Sequence, residues 1–163
     1  YIPGSSLKGK MRAMIEQKYN KTKDGSPCKC GRKDCFVCTI FGAHMNPKAE
    51  SAPTRIIVRD CNLTEESLNI IQNRPLDSGD FLETKAENII NRDNGTAGSP
   101  RFMERVPAGV SFSVNISLQI FEGDDEELMK SKVEEALNLV QDTYLGGSGS
   151  RGYGQIEFIG EWK

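Results

Sequence analysis

Cys28, Cys30, Cys35 and Cys38 stand in the spacing C-x-C-x4-C-x2-C, with Pro27, Lys29, Gly31, Arg32 and Lys33 among them. A zinc ion takes four thiolate or imidazole ligands in a tetrahedron, and spacers this short let one loop wrap the ion. The basic neighbours offset the charge of several thiolates held together. A pair of disulfides would use the same residues, but disulfides belong to secreted proteins, and nothing in these residues reads as a secretory signal. A chance cluster is the remaining alternative. We expect a structural Zn site, because four cysteines leave no open position for catalysis. His44, the single histidine, could replace one ligand, although an ordinary loop residue is the simpler reading. Cys61 follows a strand-like run and reads as a small buried hydrophobe.

Two glycine-bearing stretches could meet phosphate. Gly4-Ser5-Ser6-Leu7-Lys8-Gly9-Lys10-Met11 misses the P-loop pattern G-x4-G-K-[ST] by its last residue, and Ile56-Ile57-Val58-Arg59-Asp60 mimics a second NTPase motif. Met11 cannot ligate Mg²⁺ where that pattern needs a hydroxyl. Leu7 and Met11 also put Lys10 inside a helix rather than in a phosphate-cradling loop. What survives is a helix N-terminus with Ser5, Ser6, Lys8 and Lys10 near it, a ready anion site. The second stretch is Gly146-Gly147-Ser148-Gly149-Ser150-Arg151-Gly152-Tyr153-Gly154. It follows a helix and precedes a strand, the reverse of a dinucleotide loop. Its first half reads as a linker, but a linker has no use for Arg151 and Tyr153. Backbone N–H groups without side chains approach a phosphate closely, an arginine adds charge, and a tyrosine can stack on a base. No Ser/His/Asp triad can be assembled, and no catalytic centre is evident.

The elements that hold these groups follow from periodicity. Leu7, Met11, Met14, Ile15 and Lys18 share one helical stripe, which predicts a helix over residues 6–19 capped by Ser5 or Ser6. Residues 20–38 read as a loop. Residues 55–59 form a short strand after Pro53. Thr64-Glu65-Glu66-Ser67 resembles the start of a capped helix. Residues 80–107 make an extended excursion with its tip at Asp93-Asn94-Gly95. Val110, Phe112, Val114, Ile116, Leu118 and Ile120 alternate with polar residues and predict a strand over residues 110–120. A second long helix starts at Asp124 and Asp125, with Met129, Val133, Ala136, Leu137, Val140 and Tyr144 on its apolar face and Gly146 as its C-cap. Residues 155–158 form a last strand. A strand before Tyr1 would complete βαββαβ, an α+β ferredoxin-like, RRM-type arrangement.

Composition is that of a globular chain: 37% hydrophobic, 27% charged, with no apolar run of membrane-spanning length. The net charge of −2 hides a polar distribution. Residues 1–35 carry nine Lys or Arg against three acids, whereas residues 122–135 carry seven acids against two lysines. Such a chain can present one face to phosphates, although two ordinary solvated faces would look the same. The chain opens at Tyr1 inside a motif, so we expect a piece of a longer protein.

Several blocks in order carry a resemblance. Ile2-Pro3-Gly4-Ser5-Ser6-Leu7-Lys8-Gly9-Lys10 resembles the first-helix motif of the RAMP backbone subunits of type III-A (Csm) CRISPR effector complexes. Pro53-Thr54-Arg55-Ile56-Ile57-Val58-Arg59-Asp60 is similar to their next strand. Glu83-Thr84-Lys85-Ala86-Glu87-Asn88-Ile89-Ile90-Asn91-Arg92 and Pro100-Arg101-Phe102-Met103-Glu104-Arg105-Val106-Pro107 resemble the two sides of their thumb. The block from Tyr144 through Gly154 is similar to their C-terminal glycine loop, and the cysteines fall where some members carry a zinc lid.

The resemblance implies a single RRM-like domain over residues 1–163, a zinc-loop lid at 20–45 and a thumb hairpin at 80–107. It implies a cytoplasmic subunit that binds guide CRISPR RNA, meets target RNA, and stacks with further copies of itself and with other subunits of the complex. Ser5, Ser6, Lys8 and Lys10, with Gly146, Gly147, Gly149, Ser150, Arg151, Gly152 and Tyr153, would hold guide RNA, and Arg92 and Arg101 would act near the thumb. Family members cleave target RNA at six-nucleotide intervals with Mg²⁺ and an Asp that lies upstream of the Pro-Gly-Ser-Ser block. That Asp would precede Tyr1, and its role passes to neither Asp60 nor Asp93. We therefore expect these residues by themselves not to cleave target RNA. A P-loop NTPase and a zinc-dependent protein-interaction module are the other functions considered.

Overall fold

The structure, a computed structural model, describes residues 1–73 and 81–160. They form two compact units, Tyr1–Cys61 with Val114–Lys163, and Asn62–Ser113. In the first unit helix α1 (Gly4–Lys18) and helix α2 (Phe36–Phe41) precede strand β1 (Ile56–Val58). The second unit holds helix α3 (Glu65–Gln72) and strands β2 (Glu83–Ile90) and β3 (Ala97–Arg105). The chain then returns to the first unit with β4 (Ile116–Leu118), helix α4 (Glu126–Asp142) and a 3₁₀ turn at Gly149–Arg151.

The core of the first unit comes from helical spacing. Leu7, Met11 and Ile15 on α1 and Met129, Val133, Ala136 and Val140 on α4 are buried, and α1 contacts α4, α2 and β1. Val37, Ile40, Phe41 and Ile56 complete it. These stripes put one face of each helix inward, where apolar burial is the main driving force.

Helix α1 starts earlier than its periodicity predicts. Pro3, with φ −60° and ψ 130°, is the N-cap, so Ser5 and Ser6 are not caps but exposed residues of the first turn. The cap function passes to a distant carboxylate: Gly4 N–H donates to Asp60 Oδ1 at 2.8 Å. Gly4 also lies so close to β1 that a β-carbon there would fall 2.3 Å from the Val58 carbonyl oxygen. Its missing side chain is what lets α1 begin against the strand.

The 110–120 strand is shorter than its alternation predicts. β4 pairs antiparallel with β1 over Ile56↔Leu118, Ile57↔Ser117 and Val58↔Ile116, and the ladder ends where β1 ends. Phe112 forms only an isolated bridge with Leu63. Residues 155–158 make no ladder among the described residues; Phe158 N–H instead donates to Gln141 Oε1 at 2.8 Å. A strand is defined by its partner, and periodicity cannot supply one. The mixed α and β character is as expected, but the described residues form two two-stranded antiparallel sheets rather than one four-stranded sheet.

Two helix boundaries also differ. Residues 20–38 are not wholly loop, since Cys35 caps α2 and Cys38 lies on it. Helix α4 ends at Asp142 with Thr143 as its cap, so Gly146 (φ 91°) belongs to the following loop. Its start follows the charge pattern: the Asp125 carboxylate accepts from Leu128 N–H at 3.0 Å, as an N-cap should.

In the second unit the Thr64 hydroxyl accepts from Ser67 N–H and starts α3. β2 and β3 form a hairpin from Glu83↔Arg105 to Ile90↔Ala97, with a bulge between Glu87 and Ile89. Asn91 Oδ1 accepts from Asp93 N–H at 2.8 Å and Gly95 takes φ 72°, so the predicted tip is the turn. Residue 80 lies outside the described residues.

Candidate metal centre and nucleic-acid interface

The four clustered thiols converge. Cys28 Sγ lies 3.7 Å from Cys30 Sγ, 3.9 Å from Cys35 Sγ and 3.6 Å from Cys38 Sγ, and Cys30 Sγ lies 3.6 Å from Cys38 Sγ. All four ligand atoms fall within 4.8 Å of one another. A tetrahedral ion with metal–sulfur bonds of about 2.3 Å requires sulfur–sulfur edges of about 3.8 Å. Disulfides require about 2.05 Å, and all five cysteines are free. The cluster therefore fits a metal ion. His44 is not a member; its backbone N–H donates to the Cys28 carbonyl at 3.1 Å.

Burial pushes the Cys35 and Cys38 thiols up. At Cys30 burial acts the same way. The backbone N–H of Arg32 and hydrogen bonds from Cys35, Cys38 and Cys28 outweigh it and bring this thiol down to about 7. Three ligands are buried and Cys30 is exposed, so the cluster opens to solvent along one edge. Cys61 is fully buried beside the Ile2 bridge, as expected of a small hydrophobe, and burial raises its pKa.

Sequence reasoning missed the support behind Cys28. Glu16 is buried on α1, and its Oε1 accepts from Arg12 Nε at 2.8 Å and from Cys28 N–H at 2.9 Å. Arg12 Nη2 donates to the Cys28 carbonyl at 2.8 Å. The signal available was an acid four residues from an arginine on a helix, a spacing shared with ordinary surface pairs.

The second group of candidates lies along α1 and the glycine loop. Lys10 Nζ sits 3.7 Å from the centre of the Tyr144 ring. That ring lies so close to Gly149 that a β-carbon there would fall 2.0 Å from it. Lys10 and the glycine loop therefore meet through Tyr144, a residue assigned from periodicity to the apolar face of α4. Leu145 N–H donates to the Gly154 carbonyl at 2.8 Å and closes the loop. Ser148 (φ 57°) and Gly152 (φ 81°) turn the chain at either side of the 3₁₀ turn.

Other expected residues are placed less directly. Ser5, Ser6, Gly146, Gly147, Ser150, Arg151 and Gly152 are exposed, but Tyr153 is buried, at 9% relative exposure, so its ring is not presented to solvent. Lys8 Nζ donates to the Ile56 carbonyl at 3.2 Å. Burial lowers its pKa, and Arg12 lowers it further. Arg92 is exposed in the hairpin turn, and Arg101 Nη2 lies 3.1 Å from Glu87 Oε2 on the hairpin. Gly4 through Lys10 are wound into α1, so no phosphate-cradling loop exists there and the NTPase reading is not favoured.

The model of the RAMP superfamily matches residues 1–157. The chain belongs to the RAMP superfamily. Among its RAMP relatives is the CRISPR system Cms endoribonuclease Csm3 of Methanocaldococcus jannaschii, 46% identical over 164 residues, which cover 96% of this chain and 62% of that protein. The protein of the same name from Methanothermobacter thermautotrophicus is 41% identical over 169 residues, covering 97% of this chain and 66% of that protein. That of Streptococcus thermophilus is 31% identical over 159 residues, covering 96% and 68%. The chain thus spans about two thirds of the length of the relatives it matches. Among the described residues no helix is long and apolar enough to cross a membrane.

Proposed function

We propose that this RAMP chain is part of a guide-RNA-binding backbone subunit of a type III CRISPR effector complex, acting in antiviral defence in the cytoplasm. The observation that carries the reading is the meeting of Lys10, Tyr144 and Gly149, which joins the basic helix to a loop rich in bare backbone. Guide phosphates would lie along Ser5, Ser6, Lys8 and Lys10 and along Gly146, Gly147, Gly149, Ser150, Arg151 and Gly152. Lysine carries three donors, so the bond from Lys8 to Ile56 leaves two for phosphate. Tyr153 would act by holding the loop. Arg92 and Arg101 would act on the guide–target duplex from a thumb at 80–107.

Residues 1–163 would form one ferredoxin-like, RRM-type domain. Residues 20–45 would be a lid closed by Zn²⁺ on Cys28, Cys30, Cys35 and Cys38. The name endoribonuclease carried by the relatives supports Mg²⁺-dependent cleavage of target RNA by the whole protein, with the carboxylate upstream of the Ile2–Lys10 motif. Further copies in a filament and the other subunits of the complex would be its partners. Asp60 has a different task in this reading, since it caps α1.

The test is the salt dependence of guide-RNA binding. Each basic side chain withdrawn from a phosphate should reduce the slope of log affinity against log salt by about one. Replacing Lys8, Lys10 and Arg151 with Ala should weaken binding similarly for unrelated sequences and flatten that slope. An unchanged slope in the triple variant would remove the phosphate surface from α1 and the glycine loop.

A further inference from the structure

We infer that Arg12 and Glu16 of α1 are positioning residues for the metal centre, holding the peptide of Cys28 so that its thiol stays in the tetrahedron. The inference rests on the metal reading of the cysteine cluster.

Three N–H bonds reach the Cys28 peptide from outside its own turn. Glu16 Oε1 accepts its N–H at 2.9 Å, Arg12 Nη2 donates to its carbonyl at 2.8 Å, and His44 N–H donates to the same carbonyl at 3.1 Å. Cys28 lies in irregular chain, unlike Cys35 and Cys38, which α2 holds. A ligand on irregular chain keeps its angle only if something fixes its backbone. Glu16 is 3% exposed, far below what an i,i+4 pair on a helix surface requires. A buried carboxylate is costly unless its lone pairs are used. Here one oxygen takes both Arg12 Nε, at 2.8 Å, and the Cys28 amide.

The two charges cancel, so the pair is not a counterion for the thiolates. Its effect on the metal is geometric. The same helix carries Lys8 and Lys10 within about two turns before them, so the clamp also ties the metal loop to the helix of the proposed RNA surface.

The experiment measures Zn²⁺ affinity of the intact protein by competition with a chromophoric chelator, and the visible spectrum of the Co²⁺-loaded form. Glu16→Ala should weaken Zn²⁺ binding about tenfold to a hundredfold and alter the Co²⁺ bands. Glu16→Gln keeps an oxygen that can accept from Cys28 and should restore most of the affinity and the wild-type spectrum. Arg12→Ala should fall between them, and it carries the test with Glu16→Gln if Glu16→Ala does not fold. Wild-type affinity in both alanine variants, or equal loss in Glu16→Ala and Glu16→Gln, overturns the clamp while leaving the metal site standing. A wild-type protein that takes up neither Zn²⁺ nor Co²⁺ overturns the metal reading itself, and the clamp with it.

Discussion

The cysteine loop is fixed largely by side chains: four thiols toward one centre, Asn46 to the Lys29 carbonyl at 2.9 Å, and the Arg12–Glu16 pair to the Cys28 peptide. The glycine loop works through side chains that are missing. Gly149 makes room for the Tyr144 ring, Gly154 makes room for the Leu145 carbonyl, and one backbone bond from Leu145 to Gly154 closes the ring of chain. Both are irregular, but the first is ordered by what its residues donate and the second by how closely its backbone can be approached. The first should depend on a ligand for its own order. The second should be ordered already, without a ligand.

Metal removal separates the two most widely. Structural zinc contributes on the order of 10 kcal/mol in zinc-finger peptides, and the irregular chain around Cys28 and Cys30, which α2 does not hold, should depend on it most. Chelation, or Cys35→Ser, should abolish zinc uptake and speed hydrogen exchange at the His44 and Ser51 amides, which donate to Cys28 and Gly31. The Leu145 amide should keep its protection. If Leu145 loses protection to the same degree, the two loops are one cooperative unit and the contrast fails.

Two glycines of the same loop give the next largest effect. Gly154 has φ +72°, and a β-carbon there would lie 2.0 Å from the Leu145 oxygen. Gly154→Ala therefore combines a strained backbone, about 1–3 kcal/mol, with the closing bond at risk, about 1 kcal/mol. Gly147 has nothing within 4 Å, and Gly147→Ala should change stability by less than about 0.5 kcal/mol. Denaturant midpoints of the two variants check this. Equal midpoints would mean that the loop is not set by close approach.

What the sequence revealed follows the same division. The cysteine cluster was legible because four residues of one metal-ligand type at short spacing need no knowledge of the fold. The helical stripes were legible because burial repeats with the helix: Leu7, Met11 and Ile15, then Met129, Val133 and Val140, are buried. The β-elements were less so. Residues 110–120 and 155–158 have strand-like patterns, yet pairing depends on a partner elsewhere in the chain. Asp60 on Gly4, Glu16 on Cys28 and Arg55 on Asp124 join residues 56, 12 and 69 positions apart, and nothing local marks them. Tyr144 was assigned to a helix face and instead links Lys10 to Gly149, because α4 stops at Asp142.

The smallest expected effect sharpens the contrast from the side of pH. Glu135 on α4 receives Lys132 at 2.8 Å, Lys18 at 2.5 Å and the Tyr19 hydroxyl at 2.9 Å. Burial opposes its charge, but these three hydrogen bonds outweigh burial and hold its pKa down to about 2, from an ordinary 4.5. A carboxyl whose folded pKa is depressed gives stability that is complete above the ordinary value and is lost as pH falls toward the folded one. The window is therefore about pH 4.5 down to about 2. Tyr19 caps α1 where the cysteine loop begins, and its ring meets Phe36 of α2 edge-on at 5.1 Å. Residues 144–154 contain no carboxylate, so the glycine loop has no corresponding acid titration. Thiolate protonation also releases metal in acid, which makes the wild-type curve alone uninformative. The difference between wild type and Glu135→Gln, both metal-free, isolates the carboxyl. That difference should be constant above about pH 5 and should shrink steadily as pH falls through the window, with wild type the more stable at neutral pH. Parallel curves would show that the Lys132–Glu135–Tyr19 network contributes nothing that titrates, leaving α2 to position the start of the cysteine loop.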